Sequence, residues 1–156
     1  PPKNRDINTT LSSLQSAIRS ANILNLSPEQ IQAAQKINET ENSFSVALLD
    51  GVTGSGKTEV YFELVKKQIL LGQQCLILLP EIVLTTSWVN RFKKWFGFMP
   101  NIWHSGISAG KKKRIWREIN QGHPGVVVGA RSALFLPFSN LGAIIVDEEH
   151  EAGYKQ

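Results

Sequence analysis

The stretch Gly51-Val52-Thr53-Gly54-Ser55-Gly56-Lys57-Thr58 constrains the fold of this chain more than any other. It fits the phosphate-loop pattern G-x-x-x-x-G-K-[ST] and lies between a short apolar run, Ser45 to Leu49, and a helical pattern, Glu59 to Leu71. Tyr61, Leu64, Val65 and Ile69 recur at helical spacing in that second segment. The order strand, glycine-rich loop, helix is what an anion cradle needs. Glycines let successive backbone N–H groups point at phosphate oxygens, and the positive end of the following helix adds to the field. Lys57 then neutralises β- and γ-phosphates, and the Thr58 hydroxyl holds Mg²⁺. Such a loop implies an α/β chain with a parallel sheet.

The rest of the chain supplies the other parts of that fold. Ile7, Leu11, Leu14, Ile18 and Ala21 predict an amphipathic helix over residues 7–22. Ser27, Pro28 and Gln30 predict the start of a second helix, with Ser27 as cap, and Ile31, Ala34 and Ile37 form its apolar face. Cys75 to Leu79 reads as a buried strand ended by Pro80, and Asn101 to Trp103 as a short one. Val126 to Val128 and Ala143 to Val146 read as two further buried strands. Residues 85–96 read as a helix with Trp88, Phe92, Trp95 and Phe96 on one face, and that stripe predicts core, not a surface for stacking bases. Ser108 to Gln121 predicts a basic helix stopped by Gly122 and Pro124. Continuous apolar strands alternating with helices indicate a sheet covered on both faces.

Composition narrows the class. A chain of 156 residues with 42% hydrophobic content suits a single globular unit and excludes general disorder. No apolar run is long enough for a membrane span, because Pro80 and Glu81 interrupt the longest one near the middle. The single cysteine, Cys75, can form no internal disulfide and suits a reducing cytosol; no Cys or His cluster has zinc-ligand spacing. A net charge of +4 permits a polyanionic partner without requiring one.

A second chemical signal lies in Ile144-Ile145-Val146-Asp147-Glu148-Glu149-His150. Acidic residues directly after an apolar strand put carboxylates at the carboxyl end of the sheet, beside a phosphate loop in this architecture. Asp147 is suited to order the Mg²⁺ shell and Glu148 to polarise an attacking water. Lys57 and Asp147 are therefore expected to converge at one edge of the sheet.

Taken in order, Gly51 to Tyr61, Pro80-Glu81-Ile82, His104-Ser105, Gly129 to Phe135 and Asp147 to His150 resemble the motifs of superfamily 2 helicases. Their wording is most similar to the bacterial primosomal replication-restart family PriA (primosomal protein N′), over about residues 26–156. The resemblance implies a RecA-like P-loop fold in which residues 26–156 are the first motor lobe and residues 1–25 a lead-in. It implies an ATP-dependent 3′→5′ DNA helicase that uses ATP and Mg²⁺ in the cytoplasm. Single-stranded or forked DNA, primosome proteins and single-strand-binding proteins are the implied partners. By motif, Gly51, Gly54, Ser55, Gly56, Lys57 and Thr58 bind phosphate, with Thr58 and Asp147 on Mg²⁺. Asp147, Glu148 and His150 form the DEEH box, and His150 links nucleotide state to the rest of the motor. Pro80, Glu81, Leu84 and Thr85 match one DNA-backbone motif, and Arg131 and Ser132 another. Gln30 has two readings, an adenine contact or the reciprocal partner of the Ser27 capping box.

Other conspicuous residues take plainer roles. The Lys111-Lys112-Lys113-Arg114 run with Arg117 departs from the family pattern and reads as a solvated face, with a weak DNA contact as the alternative. His104 reads as structural, and His123 as part of a Gly-Pro turn. Kinase and GTPase readings lack their own motifs. The resemblance also implies a second lobe with an arginine finger and a zinc module, neither of which these residues contain, so the chain is expected to be a fragment of a motor or the product of a broken gene. Without that lobe, ATP binding without brisk turnover is expected. Two competing classes are a nucleotide-binding remnant that cannot turn over and an unrelated P-loop ATPase.

Overall fold

Among the described residues, four parallel strands and the helices packed on both their faces make up the core. The computed structural model describes residues 6–21, 26–38 and 56–147. The expected strand at 45–49, most of the phosphate loop and the residues after Asp147 lie outside them. In chain order the elements are α1 (Ile7–Ser20), α2 (Pro28–Asn38), α3 (Lys57–Leu70), β1 (Gln74–Leu78), α4 (Thr86–Phe96), β2 (Asn101–Trp103), α5 (Ala109–Asn120), β3 (Gly125–Gly129), a 3-10 helix (Arg131–Phe135) and β4 (Leu141–Val146). The strands lie in the order β2-β3-β1-β4, all pairings being parallel.

Every residue of β1 is buried, as expected for a strand with neighbours on both edges and helices on both faces. Alternation divides its side chains between two cores. Cys75, Ile77 and Leu79 join Val126 and Val128 against α1, α3 and α4. Leu76, Leu78 and Val127 face the other way, against Ile115 and Ile119 of α5 and Ala133 and Leu136 around the 3-10 helix. The first core is dominated by Phe62, which is wholly buried. Its ring meets Trp88, Phe92 and Phe96 edge-on, at centroid separations of 5.6, 5.6 and 5.3 Å. The aromatic stripe of α4 is thus core, as its spacing indicates. Gly97 ends α4 at a φ of +79°, and a Cβ there would collide with the Ala17 carbonyl of α1. Only glycine allows both that turn and that approach.

Three expectations need correction. The strand at 143–146 was expected to be buried on both faces. In β4, Ala143 and Ile145 do pack toward α3, but Ile144 and Val146 are 46% and 58% exposed. The cause is reach: α5 covers β1 and β3, and nothing among the described residues lies over that face of β4. On α2, Ala34 is buried as expected, whereas Ile31 is 43% exposed; the Ile37 side chain lies outside the description. On α3, Val60 and Phe62 are buried in addition to the predicted positions, and Leu64 is only half-buried.

Gln74, a buried polar residue at the amino end of β1, is fully used. Its Nε2 donates to the Ile119 and His123 carbonyls at 2.9 and 3.1 Å, and its Oε1 accepts the Asn140 N–H at 2.9 Å. His123, in the expected turn, also shares a hydrogen bond with the Thr10 hydroxyl of α1 at 3.0 Å. No described helix is long and apolar enough to cross a membrane.

Cys75 offers a test of this packing. Burial pushes its thiol from 9.0 up to about 12, so the folded chain keeps a proton that the unfolded chain releases at lower pH. This contribution to stability is therefore intact below pH 9.0 and falls as pH rises toward about 12. A thiol reagent at pH 8 should label Cys75 only at the rate of unfolding, and fast labelling of the native chain would show that β1 is not the closed centre of the sheet.

Candidate nucleotide and nucleic-acid sites at the carboxyl edge of the sheet

The sharp bend into α3 is made by Gly56, whose φ of +83° lies in the left-handed region. Gly56, having no side chain, supplies no cap bond to this helix start. The first N–H groups of a helix can be met by an outside acceptor, with the helix dipole behind them. Lys57 is half-buried and Thr58 buried in the first turn.

Of the two readings of Gln30, the capping box is formed. Its Oε1 accepts the Ser27 N–H at 2.8 Å while its own N–H donates to the Ser27 hydroxyl at 3.2 Å, a complete capping box. Its Nε2 then donates to the Gly56 carbonyl at 3.1 Å, which ties α2 to the phosphate loop. A Cβ at position 56 would run into that amide, a second reason for glycine there.

Asp147 arrives at the same place from the sheet. Its backbone N–H donates to the Leu78 carbonyl at 2.9 Å, which carries the β1–β4 ladder one step beyond the strand. Its Oδ2 accepts a hydrogen bond of 2.8 Å from Tyr61, one turn along α3 from Lys57. The Tyr61 hydroxyl in turn accepts the Trp88 indole N–H at 3.3 Å. Burial first, and the Asp147 carboxylate second, push the Tyr61 phenol well above its ordinary range, so it stays protonated and remains a donor. Tyr61 entered the sequence reading only as an apolar helix position, and no local signal reveals a partner in a strand so far along the chain. Lys57, Thr58 and Asp147 thus lie around the first turn of α3. Gly51, Gly54, Ser55, Glu148 and His150 lie outside the described residues.

A second feature lies on the other side of β1. A cleft of about 120 Å³ opens at the carboxyl ends of β1, β2 and β3, with Glu81, Leu84, His104, Ser105 and Ser132 among its walls. Of the six residues matched to DNA-backbone motifs, Glu81, Leu84 and Ser132 line it. Arg131 is exposed on the same 3-10 helix. Pro80 and Thr85 flank the β1–α4 turn outside the cleft, and the Thr85 hydroxyl accepts the Trp88 N–H at 3.2 Å as the cap of α4. His104 was read as structural. Its Nδ1 does accept the Gly106 N–H at 3.0 Å, yet its exposed ring also belongs to the cleft wall. Lys111, Lys113 and Arg114 are exposed, as a solvated face requires, and the Lys112 Nζ donates to the Ser105 carbonyl at 3.4 Å. A larger open depression, about 410 Å³ between the end of α1 and α4, is lined by Ser20, Ala21, Asn90, Lys93 and Lys94 and is remote from both features.

Comparison with known proteins bears on this edge. The sequence pattern of the DEAD/DEAH box helicases matches residues 27–156. The chain is 51% identical over 131 residues to the replication restart protein PriA of Rickettsia felis, covering 84% of this chain and 20% of that protein. It is 51% identical over 135 residues to the PriA of Bacillus subtilis, covering 85% of this chain and 17% of that protein. For the PriA of Haemophilus influenzae the identity is 43% over 139 residues, with 89% and 19% covered. The chain spans a fifth or less of these relatives. Among solved structures it is similar to a chain of RecG bound to a three-way DNA junction, with a TM-score of 0.70, 26% identity, and coverage of 89% of this chain and 20% of that one.

The two bonds of Gln30 can be separated. Gln30→Glu keeps an acceptor for the Ser27 N–H but loses the donor to Gly56. Thermal stability should change little, since the capping box survives, while affinity for a bound nucleotide should fall several-fold through the loosened loop. Equal nucleotide affinity in calorimetric titration of the two proteins would reduce Gln30 to a helix cap.

Proposed function

The chain belongs to the DEAD/DEAH box helicase family, and on that premise we propose that it is the ATP-binding first lobe of a 3′→5′ DNA helicase acting in replication restart. Helicases of this family use ATP and Mg²⁺. The residues present fit that pair: Lys57 and Thr58 open α3, and the Asp147 carboxylate is bonded to Tyr61 one turn further on. The observation that carries the reading is the hydrogen bond between Tyr61 and Asp147, because it brings the acid at the end of β4 to the turn that begins with Lys57. That juxtaposition suits phosphate oxygens shared between a cation and the loop.

In this reading Lys57 neutralises the β- and γ-phosphates, and Thr58 and Asp147 order the Mg²⁺ shell. Glu148 holds the attacking water, and His150 passes the state of the site onward. ATP bound with Mg²⁺ supplies the phosphoryl group whose transfer drives the motor. The cleft on the β2–β3 side takes the backbone of a single strand, with Arg131 and Ser132 as its anchors. Support for DNA comes from the exposed cation and hydroxyl at the cleft, which suit phosphates better than base edges. Forked DNA, primosome and single-strand-binding proteins as partners, a cytoplasmic setting, and a zinc module elsewhere in a longer protein follow from the similarity to PriA.

Two measurements test this. Calorimetric titration with Mg-ADP should show binding that Lys57→Ala weakens about 10- to 100-fold, the worth of a charge-assisted contact to phosphate. Unchanged affinity would sink the nucleotide site.

For DNA, Arg131→Ala should weaken single-strand binding alike for all sequences. It should also lower the slope of log affinity against log salt by about one released counterion. An unchanged slope removes Arg131 from the phosphate contacts.

A further inference from the structure

Phe135 is 89% exposed, the most of any large apolar side chain among the described residues. It is not on a loose segment. The 3-10 helix that carries it is pinned by Ala133 and Leu136, both buried in the core under α5, and by the bonds from Ala133 N–H to the Ala130 carbonyl and from Leu136 N–H to the Ala133 carbonyl. The ring is therefore held out into solvent by a rigid support.

Its direction follows from the helix type. Side chains three residues apart eclipse in a 3-10 helix, so Phe135 stands one turn beyond Ser132 on the same side, and Leu134 beyond Arg131. Ser132 lines the cleft. Phe135 accordingly extends the cleft wall with a flat apolar face, beside the exposed Arg131. Across the cleft, Lys112 reaches the Ser105 carbonyl and adds a second cation at the opposite rim. Cations at both rims with an exposed ring beside one of them suit a chain of alternating phosphates and aromatic bases. Glu81, the one carboxylate among the lining residues, repels phosphate from the interior and leaves the backbone to the rims.

We propose that Phe135 is a stacking platform for one base of the single strand whose phosphates Arg131 and Ser132 hold. This rests on the nucleic-acid reading given above. Because every base has a π-face, the contact adds affinity without sequence preference.

The test compares the purified chain with Phe135→Ala and Phe135→Trp by fluorescence anisotropy, using a labelled oligothymidylate and an abasic strand of equal length. Phe135→Ala should weaken binding to oligothymidylate roughly 5- to 100-fold, with the salt slope unchanged. Phe135→Trp should preserve it, and all three proteins should bind the abasic strand alike. Equal losses on both strands, or no loss on oligothymidylate, overturn the stacking role. A lowered melting temperature in Phe135→Ala with DNA affinity intact assigns the ring to contact with another part of the protein, and overturns it too. Absence of wild-type binding to either strand removes the nucleic-acid reading as a whole, a result distinct from binding that Phe135→Ala leaves untouched.

Discussion

The closure of β1 on all sides is the constraint from which the remaining structure follows. Its five residues are buried, its edges are paired in parallel with β3 and β4, and its side chains feed both cores. A strand in that position must be apolar on both faces, which Cys75 to Leu78 satisfy, and its one polar member must be fully bonded. Gln74 is, through three hydrogen bonds. An unmet bond there would cost about 1–3 kcal/mol, a large share of the stability of a small domain.

The end of β1 also sets both candidate sites. The Leu78 carbonyl takes the Asp147 N–H on one side, and the Leu79 N–H donates to the Gly129 carbonyl on the other. The acid near α3 and the floor of the cleft are thus fixed by one peptide unit, through its carbonyl and its N–H. Any displacement of β1 along its axis would be felt at both places.

Around this frame, polar links join layers that apolar packing alone would leave free to slide. Trp88, Tyr61 and Asp147 form a chain of donors and acceptors from α4 through α3 to the end of β4. Its middle member is buried and stays protonated, so the chain keeps one direction of donation. Gln30 performs the same service between α2 and the loop at Gly56. The Glu59–Arg91 ion pair also joins α3 to α4, but it is partly exposed and contributes little beside the aromatic cluster.

The amino-acid sequence by itself determined the features whose causes are local. Apolar runs at 75–79 and 126–128 are strands because no other element buries so short a continuous run, and the α4 stripe is core because four aromatic residues share one helical face. The Ser27–Gln30 box and the Gly56-Lys57-Thr58 helix start are also local, each completed within a few residues. Tertiary structure alone decided the rest. It selected Asp147 as the partner of Tyr61, put His104 and Ser105 opposite Ser132, gave Gln30 its bond to Gly56, and left Ile144 and Val146 of β4 exposed. Each of these depends on the strand order β2-β3-β1-β4, which brings together residues far apart in the chain, and no periodicity or spacing within a single segment encodes that order.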